Sequence, residues 1–154
     1  MNERLLVLER SIQTELEVIA RLYEALGEAE LTGSEPQEVL IVIAYRLHSL
    51  YSAFENIFRN IATAFENHLD PQGWHRQLLQ RMRLDLLPVR PAVIDDKAYA
   101  SLDEMLRFRH LYRTAYALEL DASRLQLVLQ KALALKPLYQ PQIETFLEFL
   151  RSLE

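Results

Sequence analysis

Apolar side chains recur every three or four residues along most of the chain, which is the spacing of one face of an α-helix. The first such stretch follows Asn2, which can cap a helix that runs to about Leu26 and ends at Gly27. The apolar positions of this stretch are Leu5, Leu8, Ile12, Leu16, Ile19, Tyr23 and Leu26. The pattern therefore predicts an amphipathic first helix, followed by a loop over residues 28–34.

A second and longer helix is predicted from about Glu35 to about His68. The segment Ser34-Glu35-Pro36-Gln37 resembles a capping box that would open this helix, and the segment Asp70-Pro71-Gln72-Gly73 would end it. Residues 37–45 are apolar on most faces of the predicted helix. This indicates that the first part of the second helix is buried or contacts a partner.

Two more helices are predicted before residue 120. A short third helix spans Trp74–Met82, and two prolines make residues 86–91 an irregular crossing because a helix cannot run through them. Asp95 or Asp96 can cap a fourth helix that reaches about Leu118.

Asp121 can cap a fifth helix, which Pro137 and Pro141 are expected to interrupt because proline lacks a backbone N–H. A last amphipathic segment would follow, with apolar positions Ile143, Phe146, Leu147 and Leu150. The sequence shows no internal repeat, low-complexity segment or domain boundary. We therefore predict one all-α domain over residues 1–154, an antiparallel up-down four-helix bundle with short extra helices.

The composition narrows the classes of function. The chain has 154 residues with only three glycines, which disfavours glycine-rich phosphate loops and the tight hairpins of sheet-rich folds. It has no cysteine, which excludes disulfides, thiolate zinc sites and cysteine nucleophiles. Because no pair of histidines has metal-ligand spacing, we expect neither a metal ion nor a cofactor.

No apolar run of signal-peptide length lies near the start of the chain, and no stretch approaches the ~18 apolar residues of a membrane span. We therefore expect a cytoplasmic protein. The net charge of −5 argues against a protein that coats nucleic acid, yet the 17 basic residues comprise 14 arginines and three lysines. Because the planar arginine fork suits bidentate contact with phosphate, the placement of the arginines matters more than the net charge.

One face of the predicted fourth helix combines cations with phenols. Arg109, Tyr112, Arg113 and Tyr116 follow the i, i+3, i+4, i+7 spacing and therefore share a stripe. Three arginines and no acidic residue lie between residues 105 and 113. Because unneutralised arginines repel one another, this stripe is a candidate site for an anionic ligand.

A second basic stretch covers residues 74–91. It contains Arg76, Arg81, Arg83 and Arg90 against a single acid, Asp85. Two basic patches on an acidic protein are typical of a local phosphate or RNA site. The alternative, equally open at this point, is that these arginines pair with glutamates from other helices.

The motif on the fourth helix resembles a known signature. Arg109, followed after four residues by Thr114-Ala115-Tyr116, resembles the R-x4-H-x-Y motif of HepT-like proteins in the HEPN superfamily (higher eukaryotes and prokaryotes nucleotide-binding). Further segments that recur in that family, in the same order, are 47–58, 74–79, 90–94, 107–110 and 117–121.

The resemblance implies an antiparallel helical bundle that forms a homodimer through the motif helices, with RNA bound in the cleft between them. It also implies a metal-independent endoribonuclease, often the toxin of a toxin–antitoxin pair whose antitoxin is a minimal nucleotidyltransferase. In that family the 2′-hydroxyl attacks the adjacent phosphorus, the motif arginine stabilises the phosphoryl oxygens and the motif histidine moves the proton. The antitoxin can modify the motif tyrosine, here Tyr116.

This chain departs from the signature at the histidine, which is Thr114. A threonine hydroxyl cannot accept a proton near neutral pH, and general acid–base catalysis contributes about 10²–10⁴-fold in rate. His110 is the nearest substitute, but it projects about 100° away from Arg109 around the helix. We therefore expect phosphate or RNA binding, with His110 in a supporting role.

The expected catalytic set is Arg109, His110, Thr114 and Tyr116. The expected RNA or phosphate ligands are Arg107, Arg113, Tyr112, His75 and Arg76. Three functions remain open. The first is a ribonuclease toxin, or a weakened or inactive descendant of one, that acts on tRNA or mRNA. The second is a non-catalytic helical partner whose Tyr116 is nucleotidylated, and the third is a helical interaction protein in which the motif is a relic.

Overall fold

The computed structural model describes residues 2–66, 74–114 and 119–153, and for Leu111, Arg113 and Thr114 it describes the backbone alone. These residues form five α-helices: α1 (Glu3–Leu26), α2 (Gln37–Phe65), α3 (Trp74–Met82), α4 (Asp96–Thr114) and α5 (Ala122–Ser152). They contain no β-strand, and one isolated antiparallel bridge joins Leu86 to Arg90. The predicted all-α class is confirmed.

Hydrogen bonds between opposite helix ends set the directions of α1 and α2. Arg4, at the start of α1, donates to the carbonyl of Thr63 near the end of α2 at 2.9 Å. Arg46, in the first half of α2, donates to the carbonyl of Ala25 at the end of α1 at 3.2 Å. The two helices are therefore antiparallel.

The other two long helices, α4 and α5, continue the alternation of helix directions. The backbone N–H of Asp95, just before α4, donates to the side chain of Gln142 late in α5 at 2.9 Å. Gln37, at the start of α2, is hydrogen-bonded to the backbone of Leu120, just beyond the end of α4. The four long helices thus form the predicted up-down bundle, and short α3 packs against α2 and α4.

α2 lies at the centre of the core and packs against the other four helices. Its buried face supplies aromatic and aliphatic side chains along its whole length. Phe54 meets the ring of Tyr139 on α5 edge-on at 5.3 Å, and Tyr139 stacks on Tyr23 of α1 at 5.4 Å. The Tyr23 hydroxyl donates to the carbonyl of Ala132 at 2.7 Å, so the buried hydroxyl of this ring is satisfied.

The predicted interruption of the fifth helix at Pro137 and Pro141 is wrong. α5 continues through both prolines, whose rings are exposed on one face of the helix because they are four residues apart. Tyr139, between them, and Leu135 and Ile143, on either side, are buried in the core. Each internal proline costs a helix about 3 kcal/mol, and the burial of side chains on both sides of the pair offsets this cost.

Most predicted caps are confirmed. Asn2 accepts from the backbone N–H of Arg4 at 2.8 Å, Asp121 accepts from that of Ser123 at 2.9 Å, and Asp95 accepts from that of Ala98 at 2.9 Å. Gly27 ends α1 with a φ of 57°, a left-handed conformation that suits glycine.

The predicted capping box at α2 is wrong. Pro36 is the cap residue and provides no side-chain hydrogen bond, and the carboxylate of Glu35 instead accepts from the backbone N–H of Gly33 at 3.1 Å and from the hydroxyl of Thr32 at 2.8 Å. The side chain of Gln37 cannot reach back to complete a box because it is engaged with Leu120.

The predicted ends of the second and fourth helices, at about His68 and Leu118, lie outside the described residues. No helix in the described ranges combines the length and the apolar character needed to cross a membrane.

Candidate functional site

Arg109 is half-buried on α4, and its guanidinium Nε atom is enclosed by protein. Among residues 2–66, 74–114 and 119–153, no group accepts a hydrogen bond from this nitrogen. Tyr51 of α2 lies close enough to Arg109 for the guanidinium charge to affect the ionisation of its phenol, and its side chain is 1% exposed. The Tyr51 hydroxyl is also buried and makes no hydrogen bond of ordinary length and angle in the same ranges, although the Glu55 carboxylate is near enough to interact with it. Two polar groups from two helices, near enough to interact electrostatically, thus lack a hydrogen bond of ordinary geometry among the described residues.

The protonation state of Tyr51 follows from its surroundings. Burial raises the pKa of the Tyr51 phenol well above its ordinary value, and the negative charge of Glu55, one turn along α2, raises this pKa further. The positive charge of Arg109 opposes these two effects without reversing them. Tyr51 is therefore a neutral phenol near pH 7, with a proton to donate.

Glu55 connects α2 to α3. Its Oε2 atom lies 2.7 Å from Nδ1 of His75, and the side chains of Glu55 and His75 are 8% and 30% exposed. The partner of this buried carboxylate is therefore a histidine. The ring of Trp74 lies against that of His75 at 3.7 Å, which holds the imidazole between a carboxylate and an aromatic ring.

Asp103 of α4 accepts from two of the predicted phosphate ligands. One carboxylate oxygen lies 2.9 Å from Nη1 of Arg76 on α3, and the other lies 3.2 Å from Nη2 of Arg107, four residues along α4. Both arginines are nevertheless about half exposed, with 47% and 54% of their side chains accessible. Arg76 and Arg107 can therefore face a ligand, but their charge is partly neutralised in the free protein.

The remaining described arginines of the second basic stretch support the alternative that they pair within the fold. Arg90 is completely buried, pairs with Glu66, and donates to the carbonyls of Arg81, Leu84 and Pro91. It therefore holds together the loop between α3 and α4.

Arg83 also interacts within the protein. Its guanidinium lies 3.7 Å from the Asp96 carboxylate and 4.2 Å from the centre of the Tyr99 ring. With Arg90, it shows that this part of the basic stretch contributes mainly to packing rather than to a phosphate site.

Tyr112 lies on the predicted stripe and is half-buried. Its ring packs at 5.3 Å from that of His48 on α2 and at 6.0 Å from that of Phe108 on α4. His110 is exposed on α4. Tyr112 therefore packs against the neighbouring helix in this structure.

Three predicted site residues lie outside the described part of the structure in whole or in part. Thr114 and Arg113 belong to α4, but their side chains are not among the described atoms, and Tyr116 lies in the undescribed segment 115–118.

The structure brings Arg109 together with groups that the sequence did not assign to the site. Tyr51 and Glu55 come from the centre of α2, and Asp103 comes from α4. A signal for the first two was present, because a phenol and a carboxylate four residues apart lie on a helix face that is otherwise apolar. Together with His75 and Arg76 on α3, these residues make the junction of α2, α3 and α4 the candidate site. No group of three or more histidine, aspartate or glutamate side chains in the described ranges is arranged to hold a metal ion.

Comparison with known proteins adds one finding. A family model described as HepT-like protein matches residues 42–150, which is more than half of the chain. No curated protein and no solved structure matches the chain. The matched range includes Tyr51, Glu55, His75 and Arg109, so the candidate site lies within the part of the chain that the family model covers.

Proposed function

The chain belongs to the HepT-like family, and we propose that it is an RNA-binding member of a toxin–antitoxin pair that holds an RNA phosphate at Arg109. The observation that carries this proposal is the unsatisfied Nε of Arg109 beside the unsatisfied hydroxyl of Tyr51. The motif that led to Arg109 in the sequence supports it independently.

The chemistry of the pair favours an anion. Leaving a buried donor without an acceptor costs about 1–3 kcal/mol, and more for a charged group. A guanidinium N–H and a neutral phenol O–H are both donors, and both are enclosed by protein. In our proposal the side chain of the half-buried Arg109 turns outward to donate to the anionic oxygen. Arginine forms charge-assisted hydrogen bonds with phosphate, often through two parallel N–H groups. A phosphodiester fits this requirement better than a neutral ligand does.

The other predicted ligands surround this point in our proposal. Arg76 and Arg107 leave Asp103 in part to contact neighbouring phosphates, and Arg113 extends the basic face of α4. Tyr112 offers an aromatic ring on which an unstacked base can pack. His75 contacts the RNA near the same phosphate. RNA, either tRNA or mRNA, is the proposed target.

The homodimer and the antitoxin complex belong to the same proposal. Val39, Ile41, Val42 and Tyr45, in the first half of α2, are all at least 40% exposed, which supports a protein partner for this surface. We propose that a second copy of the chain covers it together with the end of the motif helix, since Gln37 at the start of α2 is hydrogen-bonded to Leu120 beyond α4. We also propose that a minimal nucleotidyltransferase acts as antitoxin and modifies Tyr116. Val42→Glu should then convert the dimer to a monomer in light scattering, and Arg21→Glu, an exposed control on α1, should not.

A second candidate function is a non-catalytic helical partner that presents Tyr116 for nucleotidylation. The observation that favours it is Thr114, which takes the place of the family's proton-transferring histidine. Co-expression with a minimal nucleotidyltransferase, followed by intact mass measurement, distinguishes it: a nucleotide added to Tyr116 with no RNA binding supports this second function.

The test of the proposed function is RNA affinity. Fluorescence anisotropy with a labelled single-stranded oligoribonucleotide should show that Arg109→Ala binds about 10–100-fold more weakly than the wild type, since a charge-assisted hydrogen bond contributes about 1.5–3 kcal/mol. Arg124→Ala, an exposed arginine on α5, is the matched control and should bind as the wild type does. Equal affinity of wild type and Arg109→Ala would overturn the proposal.

A further inference from the structure

We propose that His75, oriented by Glu55, is the residue that moves the proton when RNA bound at Arg109 is cleaved. This inference rests on the proposed function and deepens it, because it assigns the chemical step that Thr114 leaves without a base. It makes the chain an active metal-independent ribonuclease rather than a relic of one.

The first observation is the geometry of the pair. Glu55 holds Nδ1 of His75 at 2.7 Å. A carboxylate at Nδ1 fixes that nitrogen as the N–H donor and leaves Nε2 as the ring nitrogen with the lone pair. The carboxylate also stabilises the imidazolium that forms when Nε2 takes a proton. His75 is 30% exposed, so the ring is accessible to a ligand while its orientation is fixed.

The second observation is the position of the pair relative to Arg109. Tyr51, which interacts with Arg109, and Glu55, which holds His75, are successive turns of α2, separated by about 6 Å along the helix axis. The phosphate-binding donors and the histidine therefore adjoin one another at the same junction of helices. In our proposal, the ribose 2′-hydroxyl next to a phosphate at Arg109 is the group that His75 reaches.

The third observation concerns the alternative histidine. His110 follows Arg109 directly, so it projects about 100° away from it around α4, and it is exposed. His75 comes from a different helix and is not subject to this constraint. Leu78, Leu79 and Met82 are buried and already hold α3 against the bundle. The contact between Glu55 and His75 is therefore not needed to attach this helix.

The proposed step is a transesterification. Nε2 of His75 takes the proton of the 2′-hydroxyl, the 2′-oxygen forms a bond to the adjacent phosphorus, and the bond between phosphorus and the 5′-oxygen breaks. The 5′-oxygen leaves with the electron pair and takes a proton from water, and the imidazolium later returns its proton to water. Arg109 stabilises the charge on the non-bridging oxygens. The products are a 2′,3′-cyclic phosphate and a 5′-hydroxyl.

The experiment compares binding with single-turnover cleavage on the same labelled oligoribonucleotide. His75→Asn is the informative variant, because the asparagine amide can still donate to Glu55 while the base is removed. Its cleavage rate should fall by about 100-fold or more, the usual contribution of general acid–base catalysis, whereas its affinity and melting temperature stay at the wild-type values. Gln80→Asn, at an exposed position on the same helix, is the matched control and should cleave as the wild type does. Mass spectrometry of the product should show the cyclic phosphate, and the 2′-deoxy analogue should remain intact.

Two further variants separate a chemical role from a structural one. Added imidazole should restore part of the cleavage rate of His75→Gly and leave that of Arg109→Ala unchanged. Glu55→Gln should lower the cleavage rate without lowering RNA affinity, because Glu55 acts as a positioning residue for His75.

The two proposals fail in different ways. Wild-type protein that binds RNA through Arg109 but does not cleave it, or that cleaves it equally well as His75→Asn, overturns the role of His75 and leaves the proposed function intact. Wild-type protein whose RNA affinity is insensitive to Arg109→Ala overturns the proposed function itself.

Discussion

Gln37, at the start of α2, and Leu120, two residues before the start of α5, are joined by two hydrogen bonds. The Gln37 side chain donates to the Leu120 carbonyl at 3.1 Å and accepts from the Leu120 backbone N–H at 3.0 Å. A primary amide can satisfy both backbone groups at once, because it carries a donor and an acceptor side by side. This pair therefore anchors the chain beyond the motif helix to the centre of the bundle.

Gln37→Ala should lower the free energy of unfolding by about 1–3 kcal/mol, because both backbone groups of a half-buried residue lose their partner. Glu38→Ala, an exposed neighbour on α2, should change it by less than about 0.5 kcal/mol. Urea denaturation followed by circular dichroism measures both values. Equal stability of the two variants would show that water replaces the Gln37 amide without loss.

Arg90→Ala should be the most destabilising of the arginine substitutions. It leaves the Glu66 carboxylate without its partner in a protein-enclosed site, and breaking a buried ion pair costs about 3–5 kcal/mol. Arg83→Ala, which removes a largely exposed interaction, should cost about 1 kcal/mol or less. Chemical denaturation of the two variants checks the ranking, and a smaller loss for Arg90→Ala than for Arg83→Ala would contradict it.

Replacing the prolines of α5 should stabilise the protein. Pro137→Ala and Pro141→Ala should each raise the free energy of unfolding by about 1–3 kcal/mol, because alanine restores a helical N–H and both positions are exposed. Alanine has more conformational freedom than proline in the unfolded chain, which reduces this gain by about 0.4–1 kcal/mol. Lys136→Ala is the control for a change on the same exposed face. A fall in melting temperature for both proline variants would show that the prolines themselves are needed for packing.

Restoring the motif histidine should increase RNA cleavage. Thr114→His places an imidazole five residues after Arg109 on the motif helix, at the position where the family signature has its base. General acid–base catalysis contributes about 10²–10⁴-fold in rate. Thr114→Asn, similar in size and without a base, is the control. The decisive measurement is cleavage in the His75→Asn background, where Thr114→His should recover activity that Thr114→Asn does not.

The folded protein should become less stable in alkaline solution because two buried phenols, Tyr51 and Tyr23, resist ionisation. Burial raises the pKa of Tyr51 and of Tyr23 above the ordinary value of 10.0, with the Glu55 charge adding to the effect at Tyr51 and Tyr139 at Tyr23. The free energy of unfolding should keep its neutral-pH value up to about pH 9. It should fall as the pH rises above about 10, where the unfolded chain releases protons that the folded chain keeps. Tyr51→Phe should lessen this loss in denaturation curves at increasing pH. Tyr45→Phe, at an exposed tyrosine, should not.

The fold was predictable because its signals are local. Apolar spacing and capping side chains such as Asn2 and Asp121 placed most of the helix starts from short stretches of sequence. The prediction was wrong at Pro137 and Pro141 because the free-energy cost of a proline in a helix can be read from the local sequence. The burial of side chains such as Ile143 against other helices, which offsets that cost, cannot be read locally. Local propensity is a weak guide where tertiary burial opposes it.

The candidate site was predictable only in part. Arg109 followed from a motif within one helix, but the partners that define its surroundings come from α2 and α3. Glu55 and His75 are 20 residues apart in sequence, and nothing in either segment specifies that they meet. Charge counting likewise could not separate Arg90, which is enclosed, from Arg76, which is half exposed, because that difference arises from packing between helices.

The loop closed by Arg90 also has a consequence for local unfolding. α3 has nine residues, and an isolated helix of that length is not stable in water. Its amide protons should therefore depend for protection from hydrogen exchange on the burial of Leu78, Leu79 and Met82 and on Arg90, which holds the carbonyl of Arg81 and the carboxylate of Glu66. We expect α3 and the loop to exchange as one cooperative unit, at a lower opening free energy than α2 and α5. The helix that carries His75 would then open and close while the rest of the bundle stays folded.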